Sequence, residues 1–277
     1  MHIHTISLLG LRPKNEDDLF YSLNLNNSSS QSDKKRNANI IGIFDGHGGP
    51  LVSKYLKEHL PKYFYNNTES IFSSKNYEYI LKVFDKMQTK LIKEVPQCKQ
   101  MGSTALILNL EKGKGDTFNV QVTNIGDCRA VLCNEYFIAV PLTKDHKPMH
   151  WEEKIRIEKL GGKIIKEVND DPRINGLAVS RSFGDLDVLP YVTHVPEIFT
   201  YKINVNSKFI IVGCDGVWDV LTCQDAVDFV LKEMMTLPTY LENYHTHTQK
   251  NIAKKLGEHA IKKGSGDNIS LLILFFN

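Results

Sequence analysis

Asn39-Ile40-Ile41-Gly42-Ile43-Phe44-Asp45-Gly46-His47-Gly48-Gly49 is the stretch on which the reading turns. Its first six residues are apolar and rich in β-branched side chains, and they stop abruptly at Asp-Gly, which is how a short buried strand looks in sequence. The same ending recurs at Asn124-Ile125-Gly126-Asp127 and at Val212-Gly213-Cys214-Asp215-Gly216-Val217-Trp218-Asp219. A further apolar run is entered through Gly264-Ser265-Gly266-Asp267-Asn268, and Asn15-Glu16-Asp17-Asp18 lies near the start. For any one of these, the ordinary reading is that Asp and Gly end strands because they make turns. Five acidic turns beside buried runs point instead to carboxylates gathered where strands end.

Outward from that stretch, Pro50 opens a helix with Leu51, Val52, Tyr55, Leu56 and Leu60 at helical spacing. A second amphipathic segment carries Ile80, Leu81, Phe84, Met87, Leu91 and Ile92. Both stripes are expected to face the core. Strands are expected over 104–110, 117–123, 130–133 and 136–141, separated by Gly-rich or Asn-Glu turns. A helix over 151–160 ends at Gly161-Gly162, as a left-handed cap requires. Strand-like runs follow at 163–168 and 208–214, helices near 224–235 and 249–262, then a final strand. Runs of strands broken by helix pairs argue for a layered α+β fold. Periodicity does not say how the sheets stack.

The chain has 277 residues, enough for one or two domains, and is 42% hydrophobic and 24% charged, which excludes a wholly disordered chain. With 34 Lys+Arg against 32 Asp+Glu there is no basic field to nominate nucleic acid. The longest apolar run, Ile269 to Phe276, falls well short of the roughly 20 residues that span a bilayer, so a soluble protein without membrane partners is expected. Cys98, Cys128, Cys133, Cys214 and Cys223 form no C-x-x-C pair, and an odd count argues against a disulfide framework, so reduced cytosol or nucleus is the expected compartment. The N-terminal residues show neither a signal region nor a myristoylation site. Residues 24–39, rich in Asn and Ser around Lys34-Lys35-Arg36, read as a surface loop.

If the acidic strand ends converge, their repulsion calls for cations, and carboxylate, carbonyl and water oxygens are hard ligands suited to Mg2+ or Mn2+. Two such ions about 3.5–4 Å apart generate hydroxide from a bridging water and clamp a phosphoryl group. Other chemistries lack their motifs. No Cys has an Arg six residues on, and G-x-x-x-x-G-K-[ST], G-x-S-x-G and H-E-x-x-H are all missing.

A set of ordered motifs now resembles a known family. Arg12 to Asp17, Phe44 to Gly49, Gly102 to Ala105, Gly126 to Arg129 and Asp145 to Pro148 belong to it. So do Arg173 to Gly176, Leu177 to Asp185, Cys214 to Asp219 and Gly264 to Asn268. Together they resemble the metal-dependent type-2C protein serine/threonine phosphatases, over residues 12–268. The resemblance implies one phosphatase domain over residues 1–277 that acts as a monomer on phosphoserine and phosphothreonine in proteins. Its fold would be a central sandwich of two antiparallel β-sheets flanked by helices on both faces, with a dinuclear Mg2+ or Mn2+ site at one end. By matching position, Asp45 bridges the two ions, the Gly46 carbonyl ligates one, and Asp215 and Asp267 complete the other. The resemblance further implies that Glu16 and Asp17 hold metal-bound waters, and Asp127 and Asp219 match positions that, with Asp215, form a weaker third metal site in some family members. Arg12 grips the phosphate as a fork. His47 would, by the same resemblance, be the general acid, histidine being the side chain that ordinarily titrates near neutrality.

Residues 144–175 correspond to a flap beside the site. Lys144, Lys147, Lys154, Arg156 and Lys159 are available there to acidic phosphopeptides or form a solvated helix face, and Arg173 holds substrate or makes a structural ion pair. The join from Arg173-Ile174-Asn175-Gly176 to Leu177 is tighter by one residue than in many relatives. Two alternatives are weaker. A catalytically dead relative would have lost metal ligands, yet Asp45, Asp215 and Asp267 are all present. A calcineurin-like metallophosphoesterase needs a later Gly-Asn-His-Asp, which the chain lacks.

Overall fold

The computed structural model describes residues 1–23, 39–67, 69–168, 170–235 and 251–276. The first part of the chain runs β1 (His2–Leu8), β2 (Asp18–Ser22), β3 (Asn39–Phe44), β4 (Gly46–His47), α1 (Leu51–Tyr65) and α2 (Ser74–Glu94). Next come β5 (Gly102–Ser103), β6 (Ala105–Lys112), β7 (Thr117–Ile125), β8 (Arg129–Cys133), β9 (Ala139–Pro141) and α3 (Trp151–Lys159). Short strands β10 (Ile164–Ile165), β11 (Arg173–Ile174) and β12 (Phe183–Gly184) lead to β13 (Glu197–Asn204) and β14 (Phe209–Gly213). The last elements are α4 (Asp215–Trp218), α5 (Cys223–Met235), α6 (Ile252–Lys262) and β15 (Ile269–Phe275).

Two antiparallel five-stranded sheets form, in the orders β1-β15-β14-β8-β9 and β13-β7-β6-β3-β2. Strand periodicity of two decides the layering. Ile41 and Ile43 of β3 point one way and meet Ile210 and Val212 of β14 and Leu272 and Leu274 of β15, the core between the sheets. Ile40 and Phe44 point the other way, onto Leu56, Leu60, Phe84 and Met87 of α1 and α2. On the far side Phe209, Ile211 and Ile273 pack against Val227 and Val230 of α5 and Leu256 of α6. Both faces of each central strand are therefore buried, which is why these segments read as continuous apolar runs. The expected helix-sheet-sheet-helix sandwich is the observed one. Among the described residues, no helix is long and apolar enough to cross a membrane.

Some local expectations need correction. Leu51 sits in the first turn of α1 and is 40% exposed, and Ile92 is 45% exposed. Ile92 follows Leu91 by one residue, about 100° round the helix, and α2 buries only one of the two. Residues 136–138 are a turn, not strand: Asn134 Oδ1 accepts from the Tyr136 and Ile138 amides, and Phe137 has φ of 65°. Of the run 163–168, only Ile164–Ile165 pairs. Strands β1, β2 and β13 were not expected. The loop expected at 24–39 lies outside the described residues except Asn39, which opens β3.

The burial difference on α1 is testable. Leu56→Ala should destabilise by about 2–5 kcal/mol, and Leu51→Ala by no more than about 0.5–1 kcal/mol, read as shifts in urea midpoint at constant slope. Equal shifts would contradict the assigned face of the helix.

Candidate active site

Strand β3 delivers Asp45 at its end, and the position is fixed by a reciprocal pair of bonds. The Asp45 amide donates to Thr104 Oγ1 at 3.1 Å, and the Thr104 amide donates to the Asp45 carbonyl at 2.9 Å. Gly46 follows because nothing larger fits, since a Cβ there would stand 2.3 Å from the Glu16 carbonyl oxygen. That carbonyl also accepts from Ser53 Oγ of α1 at 2.5 Å. Asp127 comes just after β7, Asp215 opens α4 directly after β14, and Asp267 stands just before β15.

The segment carrying Arg12, Glu16 and Asp17 is tied to this assembly by Asn268. Its Nδ2 donates to the carbonyls of Leu9 (2.8 Å) and Lys14 (3.0 Å), and its Oδ1 accepts from the Glu16 amide at 2.9 Å. Arg12 Nη2 lies 2.6 Å from Asp267 Oδ2.

These side chains surround a cavity of about 510 Å³, which Arg12, Glu16, Asp45, His47, Asp127, Asp215, Asp219, Asp267 and Arg173 all line. Asp17 is buried behind that surface, next to Asp45 and Asp215. Burial pushes the Asp17 carboxyl up to about 7 and the Asp215 carboxyl up to about 6, with neighbouring carboxylates adding to each. Asp45 and Asp127 are raised well above the usual carboxylate range, again by burial first and then by Asp215.

Such a cluster suits a hard divalent cation. Asp17 Oδ2 is buried without a hydrogen-bond partner. Ligand atoms of Asp45, Asp215 and Cys214 lie within 4.8 Å of one another. The Cys214 thiol is engaged with backbone, donating to the Asn268 carbonyl and accepting from the Ser270 amide, and burial keeps its pKa high. The donors left for a metal are oxygens.

His47 stands at the edge of the cavity with Nε2 2.7 Å from Asp185 Oδ2. Asp185 is buried, also accepts from Ser182 Oγ, and holds a left-handed φ of 50°. The turn that imposes this conformation is gripped from α2, where Gln88 accepts from the Gly184 amide at 3.0 Å and donates to its carbonyl at 3.2 Å. Gly102 leaves room for the pair, since a Cβ there would lie 2.1 Å from Asp185 Oδ2 and 2.4 Å from His47 Nε2. The roles of Asp185, Thr104 and Asn268 were missed in the sequence, although all three lie inside the quoted motifs.

A family model for protein phosphatase 2C matches residues 2–269. The chain belongs to the protein phosphatase 2C family. It is 47% identical over 173 residues to a PP2C-like domain-containing protein of Acanthamoeba polyphaga mimivirus, covering 57% of this chain and 95% of the relative. It is 34% identical over 246 residues to a probable protein phosphatase 2C of Oryza sativa subsp. japonica, covering 88% of this chain and 70% of the relative. Among solved structures it resembles a phosphatase from a pathogenic strain of Toxoplasma gondii, with TM-score 0.79 and 26% identity over 99% of this chain and 92% of that one. The chain is thus an enzyme of the protein-serine/threonine phosphatase class, and its family is metal-dependent.

In this phosphatase 2C chain the flap cations are mostly committed elsewhere. Arg156 donates to Glu153 and to the carbonyls of Tyr191 and Ser180, which anchors α3. Lys144 pairs with Glu152, and Lys154 lies 3.8 Å from Glu158. Arg173 makes two bonds to Asp170 and one to the Gly176 carbonyl while also lining the cavity. Lys147 turns into the site, 3.1 Å from Asp219 Oδ1 and 3.6 Å from Asp127 Oδ2. Trp218 is buried and its indole N–H donates to the Gly213 carbonyl at 2.8 Å, which braces the turn bearing Asp215.

Asn268→Ala should destabilise the chain by about 1–3 kcal/mol, because two backbone carbonyls and one amide lose their partner in a largely buried place. It should also lower the rate of p-nitrophenyl phosphate hydrolysis. Denaturant melts and initial rates read the two effects, and an unchanged rate would mean that the Arg12 to Asp17 segment keeps its place without this clamp.

Proposed function

We propose that the chain hydrolyses phosphoserine and phosphothreonine in proteins with two Mg2+ or Mn2+ ions held by Asp45, the Gly46 carbonyl, Asp215 and Asp267, with Glu16 and Asp17 ordering water around them. The observation that supports this most is the convergence of these carboxylates, with an orphaned buried oxygen of Asp17 among them, on a cavity that also holds His47 and Arg12. Bound there, the ions would supply Lewis acidity at the phosphoryl group and lower the pKa of water in the cavity. The five cysteines are free, which accords with a reducing compartment, cytosol or nucleus.

The side chains do the rest. Arg12 offers a planar fork to the non-transferring phosphate oxygens, releasing Asp267 as it does so. Leu177, Ala178 and Val179 give the cavity an apolar wall suited to the substrate chain. His47 serves as general acid. With Nε2 engaged by Asp185, Nδ1 is the atom left to hand a proton to the departing serine or threonine oxygen.

Activity is expected to vanish on exhaustive chelation and to return with millimolar Mg2+ or Mn2+, because a water-rich carboxylate site holds such ions loosely. Full activity in EDTA would overturn the metal reading, and so would wild-type rates from a folded Asp45→Asn variant. His47→Gln and Asp185→Asn should each cost about 10²–10⁴-fold in kcat with a phosphothreonine peptide, but far less with p-nitrophenyl phosphate, whose leaving group departs without a proton. Equal losses on the two substrates would remove the acid role. Arg12→Ala should act mainly on KM for the phosphopeptide, with partial rescue by lysine; an unchanged KM would place Arg12 outside the phosphate site.

A further inference from the structure

The resemblance carries with it a third metal site at Asp127, Asp215 and Asp219. Here the residues present do not fit a third ion, because an ammonium group already stands among them. Lys147 Nζ lies 3.1 Å from Asp219 Oδ1, 3.6 Å from Asp127 Oδ2 and 3.7 Å from Asp171 Oδ2. Its side chain is only 21% exposed, and that of Asp127 3%.

The backbone holds this lysine in register with its partner. Residues 146 and 126, which immediately precede Lys147 and Asp127, exchange two hydrogen bonds. The His146 amide donates to the Gly126 carbonyl at 3.0 Å, and the Gly126 amide donates to His146 Nδ1 at 3.1 Å. On the other side of His146, Asp145 is gripped by two nitrogens of Arg129 at 2.6 and 3.1 Å. Pro148, which follows, is buried. A surface lysine ordinarily wanders, whereas this one has both chain neighbours pinned and its stem directed into carboxylates.

We propose that the Lys147 ammonium is a built-in cation that takes the place of a third metal ion at Asp127 and Asp219, so that this chain works with two ions and does not add another. The proposal rests on the dinuclear reading above. The energetic logic is direct: a divalent ion entering between Asp127 and Asp219 must expel an ammonium from the same carboxylates or share the space with it against like-charge repulsion. A loosely held ion, which already gives up hydration to bind, loses that competition.

The test counts ions. Metal-free protein is titrated with Mn2+, free Mn2+ is read by electron paramagnetic resonance, and circular dichroism checks that each variant is folded. Wild type should bind two ions per chain, and Lys147→Met should bind one more, with a dissociation constant at least about tenfold below any third event in wild type. Lys147→Arg, which keeps the charge, should stay at the wild-type count. Asp127→Asn made in the wild-type background should leave the count unchanged, because that carboxylate holds lysine and not metal, while Asp127→Asn added to Lys147→Met should abolish the extra ion.

A third ion bound equally well by wild type and Lys147→Met would overturn the proposal. So would loss of one ion from the single Asp127→Asn variant, which needs no lysine variant to fold. Fewer than two ions on wild type would instead bring down the dinuclear reading, and Lys147 would still be judged by whether its removal adds one ion to the wild-type count.

Discussion

Mutual repulsion among carboxylates is the constraint on which the rest of this structure depends. Asp17, Asp45, Asp127 and Asp215 are pressed together until burial and one another's charge raise their pKa values. No flexible segment would hold such a group, since chain entropy and electrostatics would both disperse it. The sandwich supplies the restraint. Asp45, Asp127 and Asp215 each stand within two residues of a central strand, and Asp17 directly precedes edge strand β2, so moving any of them apart means disturbing a paired strand. Cations hold three of the carboxylates, Arg12 on Asp267 and Lys147 on Asp127 and Asp219. Asp17, Asp45 and Asp215 have no ion-pair partner among the described residues, and a divalent ion held there would relieve their repulsion.

The division between what the sequence disclosed and what it hid follows from the range of the forces. The run from Asn39 to Phe44 declared itself because a strand covered on both faces must be apolar throughout, and the Asp45-Gly46 ending marked where it meets the site. Strand β1 escaped because it lies at a sheet edge, where the alternation of His2, His4 and Ser7 with apolar residues carries little signal. Strand β13 escaped for the same reason at the edge of the other sheet, with its exposed positions at Thr200 and Lys202. The metal-ligand candidates were legible as motifs, whereas their supports were not. Asn268 acts on residues more than 250 positions away, and Gln88 of α2 reaches Gly184 in β12, 96 positions on. Lys147 gave no local sign that its partners would be Asp127 and Asp219 rather than solvent or substrate.

The support around His47 shows how such distant contacts set a short distance. Asp185 meets Nε2 from a left-handed conformation, which is unfavourable for a residue with a Cβ. The Gln88 amide holds the adjacent Gly184 backbone from both sides, and Gly102 yields the space a side chain would take. Substitutions on α2 therefore reach the imidazole through Gly184 and Asp185, and a side chain added at Gly102 of β5 would press on it directly.

Strands β1 and β15 pair along their whole length, from His2 opposite Phe275 to Leu8 opposite Ile269. Arg12, Glu16 and Asp17 emerge from the end of one, and Asp267 and Asn268 lead into the other. The candidate site is thus closed where β1 and β15 meet, with Arg12 to Asp17 brought in from one strand and Asp267 and Asn268 from the other. Loss of the β1–β15 pairing would therefore separate the Arg12 to Asp17 segment from Asp267 and Asn268, to which it is bonded.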